Sequence, residues 1–231
     1  MFPLFSDPTF LLLIPAMLLA FYAQGKVKTV FEQYSAEQNT IGLTGAQAAE
    51  KLLRINGLED VRVELTQEGM GDHYDPREKV LRLSPSVYNT TSITSLGVAA
   101  HEVGHAIQHG EGYVPLNLRN ALVPVTRFGS TLALPLLLLG LFTSLPSLVK
   151  LGILAFLAVV IFQIVTLPVE FNASRRALIL LESQGMVRPY EFKAIDSVLN
   201  AAALTYVAAA FMAVSNLARL LIFSGLYRDQ E

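Results

Sequence analysis

The residues of this chain best suited to chemistry are two histidines and a glutamate in the run His101-Glu102-Val103-Gly104-His105. Residues four apart on an α-helix lie roughly 40° apart around the axis and about 6 Å apart along it, so both imidazoles can bind one metal ion. Glu102 lies just off that face, where its carboxylate can take a proton from water. The spacing predicts a Zn²⁺ site with Glu102 as general base. The alternative is a helix with two ordinary histidines around a surface glutamate.

The sequence around this run is typical of a single helix. Ser92 or Thr94 can cap its N-terminus, and Gly110 follows His109 as a stop signal. Apolar residues at positions 96, 98 and 100 lead into the motif. The predicted helix therefore carries three of the four histidines of the chain.

The composition is typical of a membrane protein. Hydrophobic residues make up 52% of the chain and charged residues only 16%, and the mean hydropathy is +0.46. The chain has no cysteine, which excludes disulfides and cysteine-ligated metal and fits a reducing compartment. No basic cluster or aromatic RNA-type motif is present, so no nucleic-acid partner is expected.

Four apolar stretches approach the roughly 20 residues that span a bilayer core. The first carries only Asp7 as a charge and is followed by Lys26 and Lys28, which favours a spanning helix or signal anchor over a cleavable signal peptide. The last contains Arg219 and either spans or packs as a buried helix, with spanning favoured. A kink is expected at Pro135 in the second. The stretches are residues 2–22, 128–145, 151–167 and 201–223.

The basic residues predict the topology of these spans. Most of the 17 Lys and Arg lie between the first and second stretches or after the third, so the positive-inside rule places the HExxH segment in the cytoplasm and both termini outside. The predicted segments are an N-terminal transmembrane helix, a cytoplasmic catalytic region, a transmembrane hairpin, a cytoplasmic segment with the third metal ligand, and a C-terminal transmembrane helix with its tail. Their bounds are 1–24, 25–127, 128–168, 169–200 and 201–231.

A catalytic zinc needs three protein ligands and one open position, so the HExxH run lacks one ligand. The hairpin returns the chain to the compartment of His101, which makes Glu170 the preferred third ligand. His73, an acid such as Glu182, or no third protein ligand are the alternatives. His109 lies roughly 12 Å along the helix from His101, too far to share the metal easily. Glu170 could instead pair with a neighbouring arginine.

The region before the HExxH helix predicts a small α+β unit. Thr44 to Gln47 forms a capping box for a helix that ends at Gly57. Residues 61–65 and 80–83 are predicted strands, joined as a β-hairpin by the turn-rich segment 69–76. Such an edge could take a substrate peptide as an added strand, or could be purely structural. The predicted fold is mainly α with a small β-hairpin, in which a zincin-like HExxH helix packs on a bundle of about four transmembrane helices.

Together with the HExxH run, three further stretches resemble bacterial membrane zinc metallopeptidases of the YugP type: Tyr74-Asp75-Pro76, Leu81-Arg82-Leu83-Ser84-Pro85 and residues 167–177. The resemblance covers nearly the whole chain. It implies a membrane-embedded, zinc-dependent peptidase in which His101, His105 and Glu170 are the metal ligands and Glu102 is the catalytic base.

A wider similarity links the chain to gluzincin peptidases, in which an Asp follows the ligand Glu by four residues. Here that position is Ser174, which can orient a ligand histidine only weakly. Asn172 is another candidate for this role, although two residues after Glu170 it points to a different face.

The predicted function is a membrane-bound zinc metalloendopeptidase of the bacterial plasma membrane, multi-pass, with its active site facing the cytoplasm. Its expected partners are the lipid bilayer and a peptide or membrane-protein substrate. The alternatives are an intramembrane zinc protease, which the nearby charges of Glu111 and Arg119 disfavour, and a non-catalytic metal-binding scaffold, which would not need Glu102. The candidate donors for the oxyanion are His73, Tyr74, Arg175 and Arg176.

Overall fold

The computed structural model describes residues 8–66 and 71–228 of the chain. This part is mainly helical with one small sheet, as predicted. A 3-10 helix, Pro8–Leu13, leads directly into the first α-helix. The α-helices are α1 (Ile14–Ser35), α2 (Gly45–Ile55), α3 (Pro85–Tyr88), α4 (Ile93–Gly110), α5 (Val114–Phe142), α6 (Pro146–Ser183) and α7 (Pro189–Arg228), and the strands are β1 (Arg62–Leu65), β2 (His73–Asp75) and β3 (Val80–Leu83).

Among the described residues, four helices are long and apolar enough to cross a membrane, and each overlaps one predicted stretch. All four continue well beyond the predicted apolar stretches, because helical hydrogen bonding does not stop where hydropathy falls. Residues 2–7 of the first predicted stretch lie outside the described residues. Pro135 lies inside α5, as does Pro124. The four ranges are Thr9–Ser35, Val114–Phe142, Pro146–Ser183 and Pro189–Gly225.

The described residues divide into two compact units, and the first comprises residues 8–23, 118–167 and 205–228. Within it, α5 and α6 pack closely, since a Cβ added at Gly129 would lie 2.6 Å from the carbonyl oxygen of Ala155. Large apolar side chains point outward instead of into a core: Phe128 is 69% exposed and Phe142 is 72% exposed. Such a surface is stable where lipid replaces water around it.

The second unit, which comprises residues 24–66, 71–117 and 168–204, has a conventional apolar core. Helices α2 and α4 pack together, and their buried residues include Leu52 and Leu96, both fully buried. The sheet covers this pair with Leu81 and Leu83 of β3, and α7 adds Ile195 to the same core. This unit contains every residue of the predicted metal site.

The sheet differs from the predicted hairpin. Its strand order is β1-β3-β2, and β1 runs parallel to β3, with Val63 opposite Leu81. The prediction that residues 61–65 and 80–83 form a hairpin with each other is therefore wrong. The antiparallel neighbour of β3 is β2, which lies inside the segment predicted as a turn. The tight turn follows Asp75, whose carboxylate accepts a hydrogen bond of 2.8 Å from the backbone N–H of Arg77.

The helix ends follow the predicted capping chemistry with one exception. Ser92 caps α4 by accepting a hydrogen bond from the N–H of Ser95, and Thr44 and Gln47 form the capping box of α2. Gly110 does not stop α4, however, because it is the last helical residue. The left-handed backbone that ends the helix occurs at Gly112, where φ is 66°.

Candidate metal centre

Helix α4 places the two histidines of the HExxH run side by side. His101 and His105 are one helical turn apart, and their ring centroids are 4.8 Å apart with the rings nearly perpendicular. His105 is only 8% exposed, and the carboxylate-bearing Glu102 is 7% exposed. The local helix therefore presents two imidazoles together beside a largely buried glutamate.

Helix α6 brings a third donor group to the same point. Its Glu170 is 2% exposed, and its Oε2 lies 3.4 Å from the Nε2 of His101 and 3.7 Å from the Nε2 of His105. All three donor groups have ligand atoms within 4.8 Å of one another. A buried carboxylate is costly unless it faces a cation or hydrogen-bond donors, and here it faces two imidazole nitrogens.

The nitrogens on the far side of both rings are engaged by protein groups. The Nδ1 of His101 lies 3.1 Å from the hydroxyl of Ser174, and the Nδ1 of His105 lies 3.0 Å from the side-chain Oε1 of Gln108. Ligand histidines in proteins are usually held in this way, with one nitrogen hydrogen-bonded and the other turned to the metal. Both Nε2 atoms are accordingly directed toward Glu170.

These three residues fit a zinc ion. Two imidazole nitrogens and one carboxylate oxygen are a known ligand set of catalytic zinc, and ligand atoms about 2.0 to 2.2 Å from a tetrahedral ion lie roughly 3.4 Å from each other. The contacts of Glu170 with the two histidines have nearly that length already. A fourth position would be left for water or substrate.

Comparison with known proteins agrees with this chemistry. Residues 9–225 match the family described as "Putative neutral zinc metallopeptidase". The chain belongs to this family. It is 48% identical over 220 residues to the "Putative membrane protease YugP" of Bacillus subtilis (strain 168), and this similarity covers 95% of the chain and 98% of that protein. No solved structure gives a significant match. The resemblance inferred from the sequence is confirmed.

The carboxylates at the site favour a positive charge close to His101, His105 and Glu170. Burial by itself lowers the pKa of His105, because a charged imidazolium is poorly solvated inside the protein. Its contacts with Glu170, Glu102 and Gln108 outweigh burial and raise the pKa above the usual value. A bound metal cation would satisfy the same carboxylates without the proton.

The other residues considered as third ligands lie elsewhere in the described structure. The Nδ1 of His109 lies 2.9 Å from the hydroxyl of Tyr74, and the Nδ1 of His73 lies 2.9 Å from the carbonyl oxygen of Gly71. Glu182 is exposed near the end of α6. Within the described residues, none of these belongs to the group of donors around Glu170.

The two arginines considered as oxyanion donors have different environments. Arg176 donates two hydrogen bonds to the carboxylate of Glu111, at 3.0 and 2.7 Å, and a third to Asn172. Arg175 is exposed, and five residues along α6 it points roughly 140° away from Glu170. In the structure Arg176 thus pairs with Glu111, and the Oε2 of Glu170 faces the two histidines.

Gln108 is a site residue that the sequence analysis missed. It is completely buried and contacts His105 on one side and α6 on the other. Its position three residues after His105 places it on the same face of α4, which is the one signal that the sequence offered. Its partner Asn172 is separated from it by 64 residues, so only the packing of α4 on α6 reveals the contact.

Proposed function

We propose that this chain is a membrane-bound zinc metalloendopeptidase with His101, His105 and Glu170 as zinc ligands. The observation that carries the proposal is the convergence of these three donor groups next to Glu102. Glu102 is buried, and within the described residues its carboxylate is not one of the clustered candidate ligands. Membership of a zinc metallopeptidase family and similarity to a protein named as a membrane protease support it.

In the proposed reaction the residues of the chain have separate roles. A zinc ion at this site would make water more acidic and polarise the peptide carbonyl. Glu102 accepts the proton that water loses as its oxygen attacks the carbonyl carbon, and then donates that proton to the nitrogen of the leaving amine. Ser174 and Gln108 contact the Nδ1 atoms of the two imidazoles and so keep both Nε2 atoms turned toward Glu170.

We further propose that the enzyme is a multi-pass protein of the bacterial plasma membrane, with its site on the cytoplasmic side. Four membrane-length helices and an outward-facing apolar surface support the membrane location. The basic residues Lys26 and Lys28 after the first apolar stretch support the orientation. The substrates in this proposal are peptides or cytoplasmic segments of membrane proteins.

Two other functions are less well supported. An intramembrane protease would have to hold within hydrocarbon, at a high cost, the ion pair between Arg176 of α6 and Glu111, which directly follows α4. A purely structural metal site would have no use for a buried glutamate that is not a ligand. Glu102 is such a residue, and it favours catalysis.

The decisive experiment uses the full chain purified in mild detergent. Bound metal is measured, and cleavage of casein or of a membrane protein is followed for the wild type, Glu102→Gln and Glu170→Ala. Glu102→Gln should keep zinc and lose about 10²-fold or more of kcat, since it removes only the base. Glu170→Ala should lose zinc as well as activity. Glu50→Gln, an exposed glutamate on α2, is the matched control.

Each result separates one part of the proposal from the others. Full activity in Glu102→Gln would overturn the peptidase mechanism. Full zinc occupancy in Glu170→Ala would overturn the third-ligand assignment and leave the role of Glu102 intact. A wild type that binds zinc tightly and cleaves neither kind of substrate would favour the scaffold.

A further inference from the structure

The side chain of Gln108 connects the ligand His105 to helix α6. Its Oε1 lies 3.0 Å from the Nδ1 of His105. Its Nε2 donates two hydrogen bonds of 2.9 Å, one to the carbonyl oxygen of Val169 and one to the Oδ1 of Asn172. Every polar atom of this fully buried amide is therefore used.

The contacts of Gln108 determine which end of its amide faces the histidine. A backbone carbonyl can only accept hydrogen bonds, so the NH2 group must face Val169 and the oxygen must face His105. An amide oxygen can only accept as well. In the neutral imidazole the Nδ1 of His105 must then carry the proton, and the Nε2 keeps the lone pair that a metal would bind.

The amide of Asn172 is oriented in a consistent way by Arg176. Its Oδ1 accepts a hydrogen bond of 2.7 Å from the Nε of Arg176, and a guanidinium can only donate. The oxygen end of Asn172 is thus held next to the NH2 group of Gln108. Arg176 is itself held by the two carboxylate oxygens of Glu111.

We infer that Arg176 is a positioning residue of the metal centre, which acts through Asn172 and Gln108 to hold His105 in the Nδ1–H tautomer. This inference rests on the proposed zinc site and assigns Arg176 a role other than oxyanion binding. These contacts leave one assignment of donors and acceptors, because the guanidinium of Arg176 can only donate hydrogen bonds. Each link is shorter than 3.1 Å.

Among the described residues, the other histidine, His101, has no contact of this kind that would select its tautomer. The Nδ1 of His101 contacts the hydroxyl of Ser174, and a hydroxyl can either donate or accept. Ser174 therefore orients the ring without selecting its tautomer. The two ligands differ in how strictly their proton positions are determined, and the more strictly determined one is His105.

The first test reads the tautomer in the zinc-free protein. The chain has four histidines, so histidine labelled with 15N gives few signals, and those of His105 are identified by their loss in His105→Gln. At alkaline pH, where imidazoles are neutral, the nitrogen shifts of the wild type should report a proton on Nδ1 of His105. Arg176→Met and Asn172→Leu should shift part of the population to the Nε2–H tautomer, because the carbonyl oxygen of Val169 is then the one remaining group that orients the Gln108 amide.

Two variants serve as matched controls for these substitutions. Asn172→Asp keeps an oxygen that accepts from both Gln108 and Arg176, so it should retain the Nδ1–H tautomer where Asn172→Leu does not. Arg175→Met changes the neighbouring, exposed arginine by the same chemistry and should leave the His105 signals unchanged. The thermal midpoint of each variant shows that it is folded.

The second test measures zinc affinity by competition with a chelator. Loss of a group that orients a ligand histidine commonly weakens metal binding about 10- to 100-fold, and we expect about 10-fold for Arg176→Met and Asn172→Leu. Asn172→Asp and Arg175→Met should stay close to the wild type.

Several outcomes would overturn the inference. A proton on Nε2 of His105 in the zinc-free wild type contradicts the direction of the contacts. An unchanged tautomer in Arg176→Met, or equal zinc affinities for Arg176→Met and Arg175→Met, contradicts the role of Arg176. Failure of the wild type to bind zinc would instead contradict the proposed function, and the tautomer measurement would still test this inference.

Discussion

Gly104 lies so close to Ala173 that a Cβ atom added to it would come within 2.7 Å of the alanine carbonyl oxygen. Helices α4 and α6 are therefore in backbone contact at this point. Gly104 lies between the two ligand histidines, and Ala173 lies between Glu170 and Ser174 in sequence. This close approach of the helices thus coincides with the groups that would hold the metal, because neither residue has a side chain large enough to separate the backbones.

The first prediction concerns this contact. Gly104→Ala should push α4 away from α6, since the added methyl group would meet backbone, which cannot move like a flexible side chain. We expect a loss of about 1 to 3 kcal/mol in the free energy of unfolding and a zinc affinity lowered by about 10-fold or more. Thermal unfolding and chelator competition measure the two effects.

Gly25→Ala is the matched control, because Gly25 lies inside α1 and no atom is within 4 Å of its added Cβ. It should leave both quantities unchanged or stabilise the helix slightly. Equal behaviour of the two variants would contradict the view that close packing at Gly104 brings Glu170 to the histidines.

The second prediction concerns Ser174, whose hydroxyl contacts the Nδ1 of His101 at 3.1 Å. Ser174→Ala removes that contact and should weaken zinc binding by about 10-fold, at the lower end of what such partners contribute. Ser174→Asp should bind zinc more tightly than the wild type, because a carboxylate is a stronger acceptor for the Nδ1 proton.

The measurement is again chelator competition, with Ser183→Ala near the end of α6 as the control. Ser183 is exposed and donates only to the carbonyl oxygen of Leu180. If Ser174→Ala and Ser183→Ala bind zinc equally well, His101 is oriented by some group other than Ser174.

The part of the site that the sequence predicted depends on local geometry. His101, Glu102 and His105 lie within one and a half turns of a helix, so their spacing alone indicates their relative positions. Glu170 required a further argument, because only the return of the chain through a hairpin placed it on the same side. The structure brings these residues together, and their role as metal ligands stays a prediction.

The contacts around the site were not predictable in the same way. The link from Gln108 to Asn172 joins two helices whose rotation about their axes is determined by packing, and a glutamine in a helix gives no sign of its partner. The prediction of the sheet was wrong for a related reason. Alternating apolar residues indicate a strand but not its direction, and β2 has only three residues within a turn-rich segment.

The third prediction concerns Tyr74 in alkaline solution. Burial, together with the carboxylates of Asp60 and Asp75, raises the pKa of Tyr74 to about 12 from its usual value of 10.0. The folded protein therefore favours neutral Tyr74, whose hydroxyl can donate to the Nδ1 of His109. This stabilisation is fully present below pH 10 and is lost as the pH rises toward 12.

Tyr74→Phe should accordingly lower the free energy of unfolding by about 1 kcal/mol at neutral pH, the usual net value of one hydrogen bond. The difference from the wild type should shrink between pH 10 and 12 as wild-type Tyr74 ionises. Unfolding measured across this range tests both statements. If the difference in free energy of unfolding between the wild type and Tyr74→Phe stays constant from pH 10 to 12, the raised pKa of Tyr74 is contradicted.

The fourth prediction concerns the orientation of the chain in the membrane. The sequence contains no cysteine, so one cysteine introduced anywhere provides a unique site for a membrane-impermeant maleimide. Ser147, in the first turn of α6, should react as Ser147→Cys from outside intact cells. Ser35, at the end of α1, should react as Ser35→Cys only after the membrane is made permeable, because Lys26 and Lys28 favour the cytoplasm.

Both positions are exposed, so a failure to react cannot come from burial within the protein. Labelling of both cysteines after permeabilisation confirms that each is accessible to the reagent. The reverse pattern, with Ser35→Cys labelled in intact cells and Ser147→Cys protected, would place the HExxH helix outside. The substrates would then be extracytoplasmic segments of membrane proteins instead of cytoplasmic ones. The proposed zinc chemistry would be unaffected, because His101, His105 and Glu170 lie together in either orientation.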